Sequence, residues 1–200
     1  MEKKTHIMCA NAVSLCIIQP QSIFDLLLVA GFSTLGALLP DVDLKDSIPD
    51  KIFDRLMASL ITIVLMSFII KFLFNIDLYC KIKECGDIFS YIICISIFIV
   101  MGYLGSKTSH RSFTHSILGC IIYSAILSYC FNSICLWSFI FAYISHVFLD
   151  LFNKKGIAIF YPAKYRFAFK LCDSSGKVNK FLFITFSILC VSILILLGLS

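Results

Sequence analysis

Residues 56–76 read LMASLITIVLMSFIIKFLFNI, twenty-one positions in which Lys71 is the only charge. An α-helix rises about 1.5 Å per residue, so a helix of that length crosses the roughly 30 Å hydrocarbon layer of a bilayer. Comparable runs flank it. Residues 23–39 are mainly apolar and end at Pro40, which cannot continue a helix. Residues 88–105 form a second full crossing. Residues 116–150 make one long apolar stretch, broken near Asn132-Ser133 and best read as a helical hairpin. Residues 181–199 supply a final C-terminal transmembrane helix. The stretch Ile7 to Ile18, behind Lys3 and Lys4, mimics a signal peptide. Only Gln19-Pro20-Gln21 follows it, with no small-residue cleavage site, and Asn11 and Ser14 interrupt it, so a retained helix is expected.

Composition agrees with the runs. The chain has 200 residues, 60% apolar and 14% charged, with a mean hydropathy of +0.95. Water-soluble domains run near 45–50% apolar and about 25% charged. A soluble fold of this size leaves roughly 30% of its unfolded surface exposed, too much for so apolar a chain to cover with polar groups. A cytosolic enzyme and a disordered tail are therefore excluded. The expected fold class is all-α: a polytopic integral membrane helical bundle in a single domain over residues 1–200, with no internal repeat or linker. Ten cysteines show no CxxC pair and no zinc-ribbon spacing, and most sit in apolar runs, where Cys behaves as a small hydrophobe. A disulfide framework is not expected.

Charge sets the orientation. The balance of 17 Lys+Arg against 12 Asp+Glu gives +5. In a membrane chain that surplus reads as a topology signal, and no nucleic-acid partner is expected. Two crossings separate polar segment 40–55 from polar segment 106–115, and the hairpin returns 146–180 to the same side. The hairpin halves are short, so they read either as spans or as buried helices, and the parity holds in both cases. The three gathered segments hold twelve Lys or Arg, whereas the opposite turn holds Lys81 and Lys83, with Lys71 close by. The positive-inside rule then places the three segments on the cytoplasmic face of the cell's inner or plasma membrane.

The scarce polar residues carry the chemistry. There are four histidines, His6, His110, His115 and His146. In Leu39-Pro40-Asp41-Val42-Asp43, Pro40 biases Leu39 toward an extended conformation, which would aim Asp41 and Asp43 the same way. Two acids so aimed suit a hard or borderline cation, although a helix N-terminus also attracts acids. In His110-Arg111-Ser112-Phe113-Thr114-His115, the two imidazoles lie about 140° apart on a regular helix. To share a site, His110 must sit in the loop and His115 in the first helical turn, with Ser112 as its N-cap. Arg111 offers a planar fork to phosphate or carboxylate; a plain juxtamembrane loop would use the same cations for topology alone. His146 and Asp150, four apart, stack on one helical face near the end of an apolar helix. A carboxylate near mid-bilayer costs about 2.5–3.5 kcal/mol, so the pair either ligates one metal, or Asp150 orients the His146 ring, or the two lock helices together. His6 alone reads as a solvated terminal histidine. His and Asp donors without a Cys pattern suit zinc or another divalent first-row metal, and more than four candidates suggest two ions.

In order, Thr5-His6, LLPDVD (38–43), HRSFTHS (110–116) and SHVFLD (145–150), followed by Gly156, Tyr161-Pro162, Lys164, Tyr165, Arg166 and Phe167, resemble the YdjM-like family of membrane-bound metal-dependent hydrolases. The match runs from about residue 5 to 170. That family is distantly similar to zinc-dependent phospholipases C and P1-type nucleases. The resemblance implies metal-ligand roles for His6, Asp41, His110, His115, His146 and Asp150, with Asp43 as ligand or general base. The chain has fewer histidines than the soluble enzymes and no second His–three residues–Glu element, so one or two zinc ions are implied rather than a three-zinc cluster.

The expected function is a membrane-bound metal-dependent hydrolase, attacking a phosphoester or ester through a metal-activated water. Asp43 takes the proton, and Arg111 stabilises developing negative charge. A site at the bilayer edge favours a lipid or lipid-linked substrate, and the basic run Lys154 to Lys180 serves either to attract anionic head groups, at about 1 kcal/mol per charge, or for orientation only. Four histidines are too few for a membrane di-iron desaturase, no HExxH marks a zincin, and no GxxxxGK[ST] marks a nucleotide-driven pump. The rival is a non-enzymatic metal-binding or cation-transport protein whose His/Asp set is a cation path.

Overall fold

A computed structural model describes residues 2–45, 47–76, 78, 83, 87–172 and 176–198. Most of the predicted polar turn between the crossings at 56–76 and 88–105, including Asp77, Lys81 and Glu84, lies outside the described residues, as does Asp46. Seven α-helices stand among the described residues: α1 (Lys3–Ile18), α2 (Ile23–Leu38), α3 (Ile48–Phe74), α4 (Asp87–Ser106), α5 (Ile117–Cys130), α6 (Ser133–Leu151) and α7 (Lys177–Gly198). No strand lies among those residues; two isolated bridges, Asn153 with Cys172 and Ile157 with Phe167, tie the segment between α6 and α7. The stretch Ile23–Asp43, α3, Ile88–Ser106, α6 and α7 are long and apolar enough to cross a membrane. Helix α5, with 14 residues, rises about 21 Å; it is the short half of the hairpin.

Local chemistry sets the helix boundaries. Ser22, Ser47, Ser116 and Asn132 each accept a backbone N–H from the first turn of the helix that follows, satisfying donors that have no partner within the helix. Pro49 occupies the start of α3, where its missing N–H costs nothing. Gln19 ends α1 and Asn75 ends α3, both in left-handed conformation.

Helices α1, α2 and α6 pack together as the core; α7 lies along α1, α5 flanks α6, and α4 with α3 extends the row outward. Small residues let the core backbones approach. Ala10, Ala37 and Ala142 are fully buried at the three-helix junction, and a Cβ on Gly36 would meet the Phe139 carbonyl oxygen at 2.5 Å and the Ala142 Cβ at 2.9 Å. Buried hydroxyls and an amide join the same helices: Ser33 donates to Asn11 at 2.7 Å and Ser14 to the Ser138 carbonyl at 3.2 Å.

Two local expectations are corrected here. Leu39 is helical, at φ −60° and ψ −40°, and Pro40–Asp43 forms a 3₁₀ turn, so Asp41 and Asp43 do not face the same way. Helix α2 runs on because Leu39 donates to Leu35 at 3.0 Å and Pro40 opens the new turn, where it needs no donor. Ser112 caps nothing: Phe113–His115 is a 3₁₀ turn without a side-chain cap, and the cap of α5 is Ser116, which accepts from Gly119 at 3.0 Å.

Candidate metal centre

The polar side chains gather where α1 begins, α2 ends, the 106–116 connection passes and α6 ends. Asp43 contacts His110 at 2.7 Å and Arg111 contacts Asp150 at 3.3 Å, so the three segments assigned to one side do meet.

Five of them form a closed, buried ring. His6 Nε2 lies 3.3 Å from Asp150 Oδ1. The other Asp150 oxygen lies 3.4 Å from His115 Nε2. That nitrogen lies 4.0 Å from Asp41 Oδ1, which lies 3.8 Å from His146 Nε2. His146 stacks on His6 with ring centroids 3.8 Å apart, and the ring closes. Two sets of three have ligand atoms all within 4.8 Å of one another: His6, His146 and Asp150, and Asp41, His115 and His146. Zinc–ligand bonds of about 2.1 Å place two tetrahedral ligands about 3.4 Å apart, close to the separations in the ring. His146 belongs to both sets, and Asp150 turns one oxygen to each side.

Tautomers follow from the partners. Ala37 stands in the last turn of α2, so its carbonyl lacks an intrahelical partner. A carbonyl only accepts, so His146 Nδ1 donates to it at 2.6 Å. Nε2 of His146 is left buried with no hydrogen-bond partner, and Nε2 of His115 faces the carboxylates of Asp150 and Asp41 at 3.4 and 4.0 Å. A ligating histidine is held this way, one nitrogen tied to a carbonyl and the other facing the ion. Of the alternatives for His146 and Asp150, a shared ion fits the geometry, since both stand in one set of three with His6; Asp150 does not orient the His146 ring but faces His6 and His115.

Asp43 is the hub of the surrounding layer. Its Oδ1 lies 2.7 Å from His110 Nδ1. Its Oδ2 accepts the Arg111 N–H at 2.8 Å and the Thr114 hydroxyl at 2.7 Å, and lies 3.4 Å from His115 Nδ1. His115 is thus bracketed, Asp43 at one ring nitrogen and Asp41 and Asp150 at the other. Burial alone would pull its pKa down; the hydrogen bonds and charges of Asp150 and Asp43 outweigh this and hold it up at about 9. Asp41, Asp43 and Asp150 set three carboxylates against the Arg111 guanidinium and the protonated His115, an excess of one negative charge.

Arg111 is held in left-handed conformation at φ 63°, uncommon for a side chain of its size. Its N–H is fixed by Asp43, and its carbonyl accepts from Ala158 at 3.0 Å. Its guanidinium reaches Asp150 and the Lys155 carbonyl.

Of the residues singled out from sequence, His6, Asp41, His115, His146 and Asp150 come together in the ring. His110 stands one layer out, its side chain 37% exposed, its ring perpendicular to that of His115 at 5.8 Å. Asp43 and Arg111 border the ring rather than joining it. Three contributors were not read from sequence: the Ala37 carbonyl, Thr114, and Asn153, whose amide donates to Asp150 at 2.6 Å. Thr114 had a signal, a hydroxyl beside His115 in a chain poor in polar groups. The Ala37 carbonyl had none.

Residues 1–199 match the family model described as YdjM inner membrane protein. No curated protein and no solved structure matches the chain.

Proposed function

The chain belongs to the YdjM inner membrane protein family, and on that premise we propose that it is a membrane-bound metal-dependent hydrolase. One observation carries this: the buried Nε2 atoms of His115 and His146 converge on Asp41, that of His146 with no hydrogen-bond partner, in a site with surplus carboxylate. Nitrogen and oxygen donors without thiolate suit zinc. His6, Asp41, His115, His146 and Asp150 would hold one ion, or two with Asp150 between them.

When bound, a divalent ion supplies Lewis acidity and a nucleophilic water at neutral pH. The chain's own residues do the rest. Asp43 and His110 form a hydrogen-bonded pair whose imidazole reaches the exposed side, and this pair takes the proton. Arg111, anchored by Asp150 and the Lys155 carbonyl, faces the reacting group and stabilises the negative charge that develops on it. Asn153 and Thr114 hold Asp150 and Asp43 in place.

The site lies at the end of the spans flanked by twelve Lys or Arg, which supports a cytoplasmic face. Its position at the membrane edge favours a phosphoester or ester of a lipid or lipid-linked substrate. The test is to purify the protein in detergent, measure bound metal, and assay turnover over a panel of phosphodiesters and lipids. Stoichiometric metal and turnover, both lost in His115→Ala and His146→Ala, are expected. Wild-type protein without metal overturns the proposal. Metal with no turnover but with cation flux in liposomes replaces the hydrolase by a transporter.

A further inference from the structure

Between α6 and α7 lies a cleft of about 500 Å³, within the range of about 300–1,000 Å³ that small-ligand sites occupy. Its walls include Phe148 of α6, Phe152 and Leu171 of the connection, and Val178, Leu182 and Phe186 of α7. Every lining side chain is apolar. Both bordering helices are candidate membrane spans, so the medium outside the cleft is hydrocarbon, and an acyl chain is what that medium supplies.

The end of the cleft nearest the connection says which lipid. Lys170 adjoins Leu171, Lys177 adjoins Val178, and Lys180 follows within the first turn of α7. Residues 151–200 hold one acid, Asp173, against seven Lys or Arg. Glu2, whose backbone N–H reaches Asn179 of α7 at 3.2 Å, is paired with Lys4 at 2.9 Å. Upstream, Tyr165, Phe167 and Phe169 are exposed at 78%, 43% and 59% and alternate with Lys164, Arg166 and Ala168. In extended chain this places rings on one face and cations on the other, the arrangement of a segment lying at the membrane–water boundary. Backbone bonds of Phe167 with Ile157 and of Phe169 with Leu151 hold it there.

We propose that the α6–α7 cleft binds an acyl chain of an anionic phospholipid of the surrounding bilayer, with its phosphate held by Lys170, Lys177 and Lys180. The site is separate from the metal centre and stands without it. The single tryptophan, Trp137, is replaced by phenylalanine, and Phe186→Trp places a reporter in the cleft. The protein is reconstituted into nanodiscs containing brominated phosphatidylglycerol or brominated phosphatidylcholine, with Phe68→Trp on the exposed face of α3 as control. The cleft reporter is expected to be half-quenched at a roughly tenfold lower mole fraction of the anionic lipid. Lys170→Ala/Lys177→Ala/Lys180→Ala is expected to erase that preference while leaving the gel-filtration profile unchanged. Equal quenching by the two lipids, or a cleft reporter that behaves like the α3 control, overturns the proposal.

Discussion

His146 donates its Nδ1–H to the Ala37 carbonyl at 2.6 Å, so the last turn of α2 sets the direction in which a side chain of α6 points its free nitrogen. The direction of that nitrogen is therefore a property of helix packing. Gly36, next to Ala37, is a point of close approach between the two helices: any Cβ there would stand 2.5 Å from the Phe139 carbonyl oxygen. Gly36→Val should push α2 from α6 at a cost of about 1–3 kcal/mol. It should weaken metal uptake about 10–100-fold, although residue 36 offers no donor. Metal titration of the purified variant checks this; wild-type affinity in a folded Gly36→Val protein would show that the spacing does not govern the site.

His146 and His110 should separate by function. His146→Ala removes a member of both ligand sets and should abolish stoichiometric metal. His110→Ala should keep the metal and lose turnover, since its contact is with Asp43. Elemental analysis of the two proteins side by side decides it. Loss of metal from His110→Ala would move His110 into the ligand set.

Asp43→Asn should destabilise the protein even without metal. The amide would turn a donor toward groups that now donate to a buried carboxylate, each unsatisfied group costing about 1–3 kcal/mol. Asp54→Asn is the control: its pair with Lys107 at 2.8 Å is half-exposed, and such pairs contribute about 0–1 kcal/mol. Thermal unfolding in detergent should show a clear drop in Tm for the first and little for the second.

Sidedness is open to direct labelling. The α1–α2 turn at Gln21 lies at the opposite end of the bundle from the ring, because His6 opens α1 and Ala37 closes α2. In a Cys16→Ser/Cys80→Ser/Cys85→Ser background, Lys164→Cys should react with a membrane-impermeant maleimide only in inverted vesicles, and Gln21→Cys only in right-side-out vesicles. The reverse pattern would put the centre on the other face.

The spans were legible because hydrocarbon imposes length and composition on a helix directly. His146 and Asp150 were legible because a four-residue step fixes a shared face. Pairwise backbone rules were weaker guides. The bias that Pro40 places on Leu39 yielded to hydrogen bonds that carried α2 one residue further, and Asp41 and Asp43 parted to opposite sides of His115. The five-residue spacing of His110 and His115 showed that they could not share a helical face, but it held no information on which of them faces the ring. His6 looked like a solvated terminal residue and is instead fully enclosed, because α1 docks on α2 and α6. Roles that depend on docking, the Ala37 carbonyl above all, are written in three dimensions only.

The enclosure of His6 also sets an order of events during synthesis. Helix α1, with 16 residues, rises about 24 Å and is not among the candidate spans, yet it leaves the ribosome before the helices it docks on. Its ring partners on α6, His146 and Asp150, are among the last parts of the bundle to be made. The first helix must therefore wait at the membrane with its imidazole uncommitted, and the hairpin of α5 and α6 arrives as the latch. Closure of His6 on its α6 partners therefore waits on synthesis of the hairpin, and a chain halted before residue 146 would carry His6 with neither His146 nor Asp150 to meet.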